Sequence, residues 1–239
     1  MLHKINLEDI LFLDIETVPQ YSDYSCVPAA EQTLWEEKTQ YLRKDEYTAE
    51  EYYNRAGIWA EFGKIVCISV GYFSFRHEQR TFRVTSFTGE EGTLLRDFVR
   101  LVEEHFSRPN KLFCAHNGKE FDFPYLSRRM IINGVHIPNK LQLFGKKPWE
   151  VPHLDTLDLW KFGDYKHYTS LTLLAHTLGI PSPKDDINGS QVRDVFYEEN
   201  DIHRIATYCE KDTITVAQIL LRLRYEPLLT DDEILIIPR

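Results

Sequence analysis

The chain has 239 residues, of which 43% are hydrophobic and 27% charged, so its composition is typical of a soluble globular protein and excludes a disordered or collagen-like one. No apolar run approaches the roughly 18 residues that a membrane span requires, and the N-terminus lacks the layout of a signal peptide, so we expect a cytoplasmic protein with no membrane partner. The net charge of −9 argues against a broad basic surface for duplex nucleic acid, but not against an enzyme whose acidic residues bind metal ions.

The first quarter of the chain predicts one strand followed by helices. The run DILFLD (Asp9–Asp14) is short and apolar, as in a buried central strand. From about residue 20 to 60 the chain is acidic and aromatic. Both EQTLWEEKTQYLRK and TAEEYYNRAGIWAEF have helical spacing, and Thr48 with Glu51 resembles a capping box. We therefore expect a helical insertion after the first strand.

A hairpin and an amphipathic helix are predicted next. KIVCISVGYFS and RTFRVTSFT have the composition of strands, with RHEQ as the turn between them. GEEGTLLRDFVRLVEEHF predicts a helix with an apolar face. That face comprises Leu94, Leu95, Phe98, Val99 and Val102.

The remaining segments alternate between strand and helix patterns. KLFCAHN predicts a strand, and KEFDFPYLSRRMIING a helix with Pro124 in its first turn and Gly134 at its end. HLDTLDLWKF holds a short strand or strand end, and SLTLLAHTLGI predicts a helix closed by Gly179. INGSQVRDVFYEEN and DIHRIATYCEKDTITVAQILLRLRY predict two further helices. The order predicts one α/β domain over residues 1–239, with a mixed sheet that contains an antiparallel hairpin.

The four cysteines show no C-x-x-C spacing, which argues against a zinc site or a disulfide framework. Cys67 and Cys114 lie within apolar strand-like runs, and we expect both to be buried, inert thiols.

Four acidic residues fall at the ends of predicted elements. Asp14 and Glu16 close the first strand, and their spacing of two points both side chains to one face of the sheet. Asp122 follows KLFCAHN, and Asp212 shares a helix face with Tyr208, four residues earlier. Carboxylates from three segments suit a site for two Mg²⁺ ions, which favour oxygen ligands. Taken singly, each acid is more typical of a helix cap or a solvated side chain.

Three motifs resemble those of the DEDD superfamily of 3′→5′ exonucleases. FLDIET is similar to the first motif, HNGKEFDFPYL to the second and YCEKDT to the third, whose Y-x-x-x-D form marks the tyrosine subclass. The stretch SLTLLAHTLGIPSPKDDINGSQV resembles the exonuclease domain of family B DNA polymerases, in particular the stand-alone group of predicted polymerase-B-like 3′→5′ exonucleases. The resemblance covers roughly residues 8–222 and implies a ribonuclease-H-like fold. With so few residues after the third motif, we expect no polymerase domain on this chain.

The resemblance also implies a site and a reaction. Asp14 would bridge two Mg²⁺ or Mn²⁺ ions, Glu16 and Asp212 would complete the first site, and Asp122 would hold the second ion. Tyr208 would hydrogen-bond the attacking water. The products would be nucleoside 5′-monophosphates from the 3′ end of single-stranded nucleic acid, DNA being favoured by analogy with proofreading domains. An RNA-directed exonuclease, a phosphodiesterase for very short oligonucleotides, and a non-catalytic module that binds nucleic acid or a partner protein remain alternatives, and no replication or repair partner can be named.

Further residues are candidates for substrate contacts. Thr17, after the first motif, resembles a position that contacts the terminal nucleotide, and its alternative is a strand-end threonine. Asn117 could touch the strand, orient its loop or cap a helix, whereas Phe121 is a candidate contact for which a core position is favoured. The other candidates, each with a structural alternative, are Asp155 as a supporting carboxylate, His116 as a proton shuttle and Lys184 as a phosphate contact.

Two aromatic segments could bind a single strand. NKLQLFGKKPW places Phe144 and Trp149 among basic side chains, a combination that suits backbone attraction and base stacking, although a solvated loop is the alternative. Its basic residues are Lys140, Lys146 and Lys147. The rings of the insertion could also clamp a strand, but most should pack the insertion onto the domain. They are Trp35, Tyr41, Tyr52, Tyr53 and Trp59.

Overall fold

The computed structural model describes residues 2–44, 46–76, 79–164, 166–181 and 187–238. Its strands are β1 Ile10–Pro19, β2 Gly63–Arg76, β3 Gln79–Thr88, β4 Leu112–Ala115, β5 Leu154–Asp155 and β6 Ile234–Ile236. Its α-helices are α1 Ala29–Arg43, α2 Ala49–Tyr52, α3 Glu91–His105, α4 Asp122–Ile132, α5 Thr156–Lys161, α6 Leu171–Thr177, α7 Val192–Asp194 and α8 Ile202–Leu223.

The six strands form one mixed sheet in the order β5-β4-β1-β2-β3-β6. β1, β2 and β3 pair antiparallel, while β4 and β5 extend the sheet in parallel from β1, and β6 pairs in parallel with β3. Parallel neighbours need crossover connections, and helices supply them here. The predicted α/β class with an antiparallel hairpin is confirmed.

Successive side chains of β1 point to opposite faces of the sheet, and each face carries one layer of the core. Leu11, Leu13 and Ile15 face the side covered by α3 and α4. Ile10 and Phe12 face the opposite side, where α8 packs across the sheet. All five residues predicted for the apolar face of α3 are buried. The side chains of Asp14 and Glu16 continue the face that looks toward α8, because the period of a strand is two.

The connection between β1 and β2, residues 20–62, folds around Trp35. This side chain is fully buried, packs edge-to-face against Tyr53, and donates its indole N–H to the Ala49 carbonyl at 2.8 Å. The capping box at Thr48 is confirmed. The predicted second helix is wrong beyond Tyr52, where 3₁₀ turns replace it.

The 3₁₀ turns over Tyr53–Ile58 have a packing cause. A Cβ on Gly57 would lie 3.0 Å from the backbone carbonyl carbon of Val18, so this turn presses its backbone directly against β1. Glycine, which has no Cβ, allows that approach without a shift of either backbone.

Other boundaries differ from the predictions. The first strand does not close at Asp14 but runs to Pro19. The segment after Asp155 is helical, because its carboxylate accepts the backbone N–H groups of Leu157 and Asp158 and caps α5. The predicted helix over INGSQVRDVFYEEN consists of short 3₁₀, α and π turns. Half of the RHEQ turn lies outside the described residues.

Candidate active site

The site forms where β1 and β4 separate. Their parallel pairing ends at Phe12 opposite Cys114, so the β4-facing edge of β1 is left without a strand partner from residue 13 onward among the described residues. Crevices at the carboxyl ends of parallel strands are the usual place for sites in α/β sheets. Asp14 and Glu16 lie on the part of β1 that has no strand partner on its β4 side.

Asp122 fills the gap that β4 leaves. Asp122 is the first residue of α4, and its carboxylate accepts hydrogen bonds from its own backbone N–H and from that of Ile15. The second of these replaces the hydrogen bond that a neighbouring strand would otherwise make to β1. Asn117 shapes the turn before it with a left-handed φ of 61°, and its carbonyl accepts the N–H groups of Glu120 and Phe121. This turn therefore places the carboxylate of Asp122, a residue that is 3% exposed, against the backbone between Asp14 and Glu16.

α8 supplies the remaining residues from the other side. Tyr208 and Asp212 are one helical turn apart, and the tyrosine hydroxyl is hydrogen-bonded to the Asp212 carboxylate. The charge of Asp212 acts on both Asp14 and Glu16. The structure therefore brings together all four acids and the tyrosine that were predicted from three separate segments.

The electrostatics of the cluster favour cations. Burial, and then the neighbouring carboxylates, raise the pKa of Asp14 and of Glu16 well above their ordinary values. Burial likewise raises the pKa of Asp122 to about 8. Carboxylates crowded in a desolvated space hold protons unless a positive charge replaces them. A set of oxygen donors in this condition fits hard divalent ions such as Mg²⁺ or Mn²⁺.

Cys209 is a member of the cluster that the sequence analysis did not assign to it. Its thiol donates to Asp14 Oδ2 at 3.3 Å, and single ligand atoms of Asp14, Glu16 and Cys209 all lie within 4.8 Å of one another. A second buried thiol, Cys67, stands opposite Glu16 in the β1–β2 pairing and contacts Cys209. The sequence did offer a signal for placing Cys209 in the cluster. It is three residues before Asp212, and residues with this spacing share a helix face. Cys67 and Cys114 are buried, as predicted.

The three predicted substrate contacts have different surroundings. The Thr17 hydroxyl is hydrogen-bonded to that of Tyr125, on the α4 side of the sheet rather than the α8 side. Asn117 is partly exposed in the turn before Asp122. Phe121 is partly buried and packs against the main core, with its ring 5.3 Å from that of Tyr125. None of these contacts tests a role in binding substrate.

Asp155 and His116 support the site from behind. The Asp155 carboxylate accepts the backbone N–H groups of Asn117 at 2.9 Å and of Lys119 at 3.0 Å, which holds the turn ahead of Asp122. His116 bridges the Thr156 hydroxyl at 2.9 Å and the Thr169 carbonyl at 2.8 Å, and burial lowers its pKa. These contacts favour the structural alternative for both residues. Lys184 lies outside the described residues.

Comparison with known proteins connects this geometry to a family. Residues 58–231 match the family model described as a predicted 3′-5′ exonuclease related to the exonuclease domain of PolB. Asp122, Tyr208 and Asp212 fall within the matched range, and Asp14 and Glu16 precede it. No curated protein matches the chain.

A solved structure shares the fold. The structure of the family B DNA polymerase from the hyperthermophilic archaeon Pyrobaculum calidifontis matches with a TM-score of 0.55 and 18% identity over 89% of this chain. The chain spans 24% of the length of that polymerase. At this identity the likeness concerns the fold, and it confirms the predicted ribonuclease-H-like architecture. No helix within the described ranges has the length and apolarity to cross a membrane.

Proposed function

This chain belongs to the family of predicted 3′-5′ exonucleases related to the exonuclease domain of PolB, and from that premise we propose that it releases nucleoside 5′-monophosphates, one at a time, from the 3′ end of single-stranded DNA. The observation that carries the proposal is the convergence of Asp14, Glu16, Asp122 and Asp212 with Tyr208 at the open edge of β1.

Two divalent ions are the expected cofactor. We propose that Asp14 contacts both, that Glu16 and Asp212 complete one site, and that Asp122 serves the other. When bound, such ions acidify a water molecule and stabilise the leaving oxygen of a phosphodiester. The raised pKa values of the acids support this assignment, because a bound cation offsets the burial and the repulsion that now make them hold protons.

The residues of the chain then have distinct tasks. Asp122 is fixed by two backbone N–H groups, so it offers its remaining lone pairs in a set direction. Burial, followed by the charges of Asp212, Glu16 and Asp14, raises the pKa of Tyr208 far above its ordinary value of 10. A hydroxyl that stays protonated does not remove a proton from water, and we assign it to orienting the nucleophile by hydrogen bonding.

The experiment that tests the proposal is a degradation assay on end-labelled single-stranded DNA and RNA with Mg²⁺ or Mn²⁺. We expect release of 5′-mononucleotides from the 3′ end, with DNA preferred and a 3′-phosphate end resistant. Faster digestion of RNA would reassign the substrate, and equal cleavage of circular and linear strands would show an endonuclease.

Asp14→Asn is the decisive variant in that assay. It keeps the shape of the side chain but removes the charge that two cations would share, so activity should fall by orders of magnitude. The matched control is Asp232→Asn, an exposed acid in a C-terminal turn, which should retain full activity. Near-normal turnover in Asp14→Asn would reject the two-metal site. Absence of Mn²⁺ binding in the unmodified protein would instead favour a non-catalytic module.

A further inference from the structure

Two large rings stand exposed on the turn before β5, which we name the aromatic turn (residues 143–151). Phe144 is 73% and Trp149 76% exposed. Leu143 and Val151, at the two ends of the turn, pack against the main core cluster. The two ends of the turn are therefore fixed in the core while its rings face solvent. Exposed rings forgo the hydrophobic free energy of burial unless a partner covers them.

Positive charge accompanies the rings. Lys146 and Lys147 are exposed, and Lys147 Nζ lies 5.3 Å from the centre of the Trp149 ring. Glu150 is the one acid of the turn, and its carboxylate accepts the Lys147 backbone N–H at 2.8 Å. The aromatic turn is thus locally basic on a chain whose net charge is −9.

This combination indicates the chemistry of the partner. Within the described residues, neither Phe144 nor Trp149 makes a ring–ring contact with another side chain. A free aromatic face beside an ammonium group suits a nucleobase and its phosphate, because every base can stack and every linkage is negative. We propose that the aromatic turn binds single-stranded nucleic acid on the 5′ side of the nucleotides held at the site, a proposal that rests on the proposed function.

The chain itself connects the turn to the site. Trp149 is six residues from Asp155, whose carboxylate holds the turn that leads to Asp122. Six extended residues reach at most about 20 Å. At a rise of 3.4 Å per nucleotide, a stacked strand of about six nucleotides is therefore long enough to reach from Asp155 to the rings.

The test compares the double variant Lys147→Glu/Trp149→Ala with Arg222→Glu/Tyr225→Ala. The control likewise replaces a positive charge by a negative one and removes an even more exposed ring, Tyr225 at 93%, at the C-terminal end of α8. Binding of fluorescein-labelled (dT)20 is measured in EDTA by fluorescence polarisation, so that no degradation occurs. Turnover of (dT)20 is measured separately with Mg²⁺.

We expect the aromatic-turn variant to bind (dT)20 about 10- to 100-fold more weakly, the loss for one stacked base and one phosphate contact, while the control stays within twofold. Its kcat/KM for (dT)20 should fall as well. Equal affinity of the two variants for (dT)20 would overturn the proposal and leave the turn to a protein partner. Because the binding arm needs no turnover, an inactive protein that shows the expected loss would refute the proposed function alone.

A second measurement uses the ring itself. Of the four tryptophans, Trp35 is fully buried, Trp59 and Trp160 are partly buried and only Trp149 is exposed, so quenching of tryptophan emission by (dT)20 should come mainly from Trp149. In Trp149→Phe, which keeps an aromatic ring at this position, the quenching should disappear while polarisation still detects binding. Unchanged quenching in this variant would show that bases do not stack on Trp149.

Discussion

Asp122→Asn should stabilise the metal-free protein by an amount that grows with pH. The pKa of Asp122 is raised from 3.8 to about 8 by burial, so the folded protein takes up a proton that the unfolded chain releases. The contribution of Asp122 to the free energy of unfolding is therefore greatest below about pH 4 and is lost as the pH rises toward 8. The amide has no proton to take up and still offers an oxygen to the Ile15 N–H.

The magnitude follows from the size of the shift. Each pH unit between the two pKa values corresponds to about 1.4 kcal/mol, so the carboxylate costs about 2 kcal/mol at pH 5 and about 4 kcal/mol at pH 7. For a chain of this size, 4 kcal/mol raises Tm by roughly 8–16 °C. Thermal unfolding in EDTA from pH 5 to pH 8 measures the difference, with Asp232→Asn as the exposed control. A stabilisation that does not change with pH would refute the reasoning.

Three further outcomes are expected. Tyr208→Phe should lower kcat roughly 10- to 1000-fold while KM and Mn²⁺ affinity hold in steady-state kinetics and a metal titration, and an unchanged kcat would leave the tyrosine as a packing residue. Arg129→Met breaks the buried ion pair with Glu91, in which Arg129 Nε lies 2.8 Å from Glu91 Oε1. The free energy of unfolding measured in urea should fall by about 3–5 kcal/mol, and a loss below about 1 kcal/mol would show that this ion pair contributes no more than a surface pair. Gly63→Ala would place a Cβ against the Tyr125 hydroxyl and 2.9 Å from the Gly57 carbonyl oxygen, and should cost about 1–3 kcal/mol. Adding Tyr125→Phe should recover the part of that loss that the hydroxyl causes, and strict additivity of the two changes would contradict a clash with the hydroxyl.

The parts of the structure that sequence predicted correctly depend on local pattern. α3 and α8 have an apolar stripe with helical period, and that stripe determines which face is buried. The acids were predicted from their positions at the ends of predicted elements and from the three motifs that contain them. The joint presence of Asp14, Glu16 and Asp122 was predictable for this reason.

The parts that were missed depend on contacts between distant segments. β6 has only three residues, too few to show a strand period, and it exists because β3 offers it an edge. Cys209 is adjacent to Asp14 only once α8 crosses the sheet, and the pairing of Glu16 with Cys67 requires the register of β1 on β2. The aromatic turn is exposed because Leu143, rather than its neighbour, faces the core, a choice that the sequence left open.

The connection between β1 and β2 has a thermodynamic consequence. Pro19 pairs with Gly63, and the Gln20 N–H donates to the Phe62 carbonyl at 2.8 Å, so 43 residues (20–62) close as the loop of a hairpin. Closure entropy grows only with the logarithm of length, and this loop costs about 2 kcal/mol more to close than one of four residues. The aromatic cluster around Trp35 offsets that cost within the loop itself. A change in the length of the connection is therefore expected to alter mainly this small core, while the β1–β2 pairing keeps the register that sets Asp14 and Glu16 beside β2.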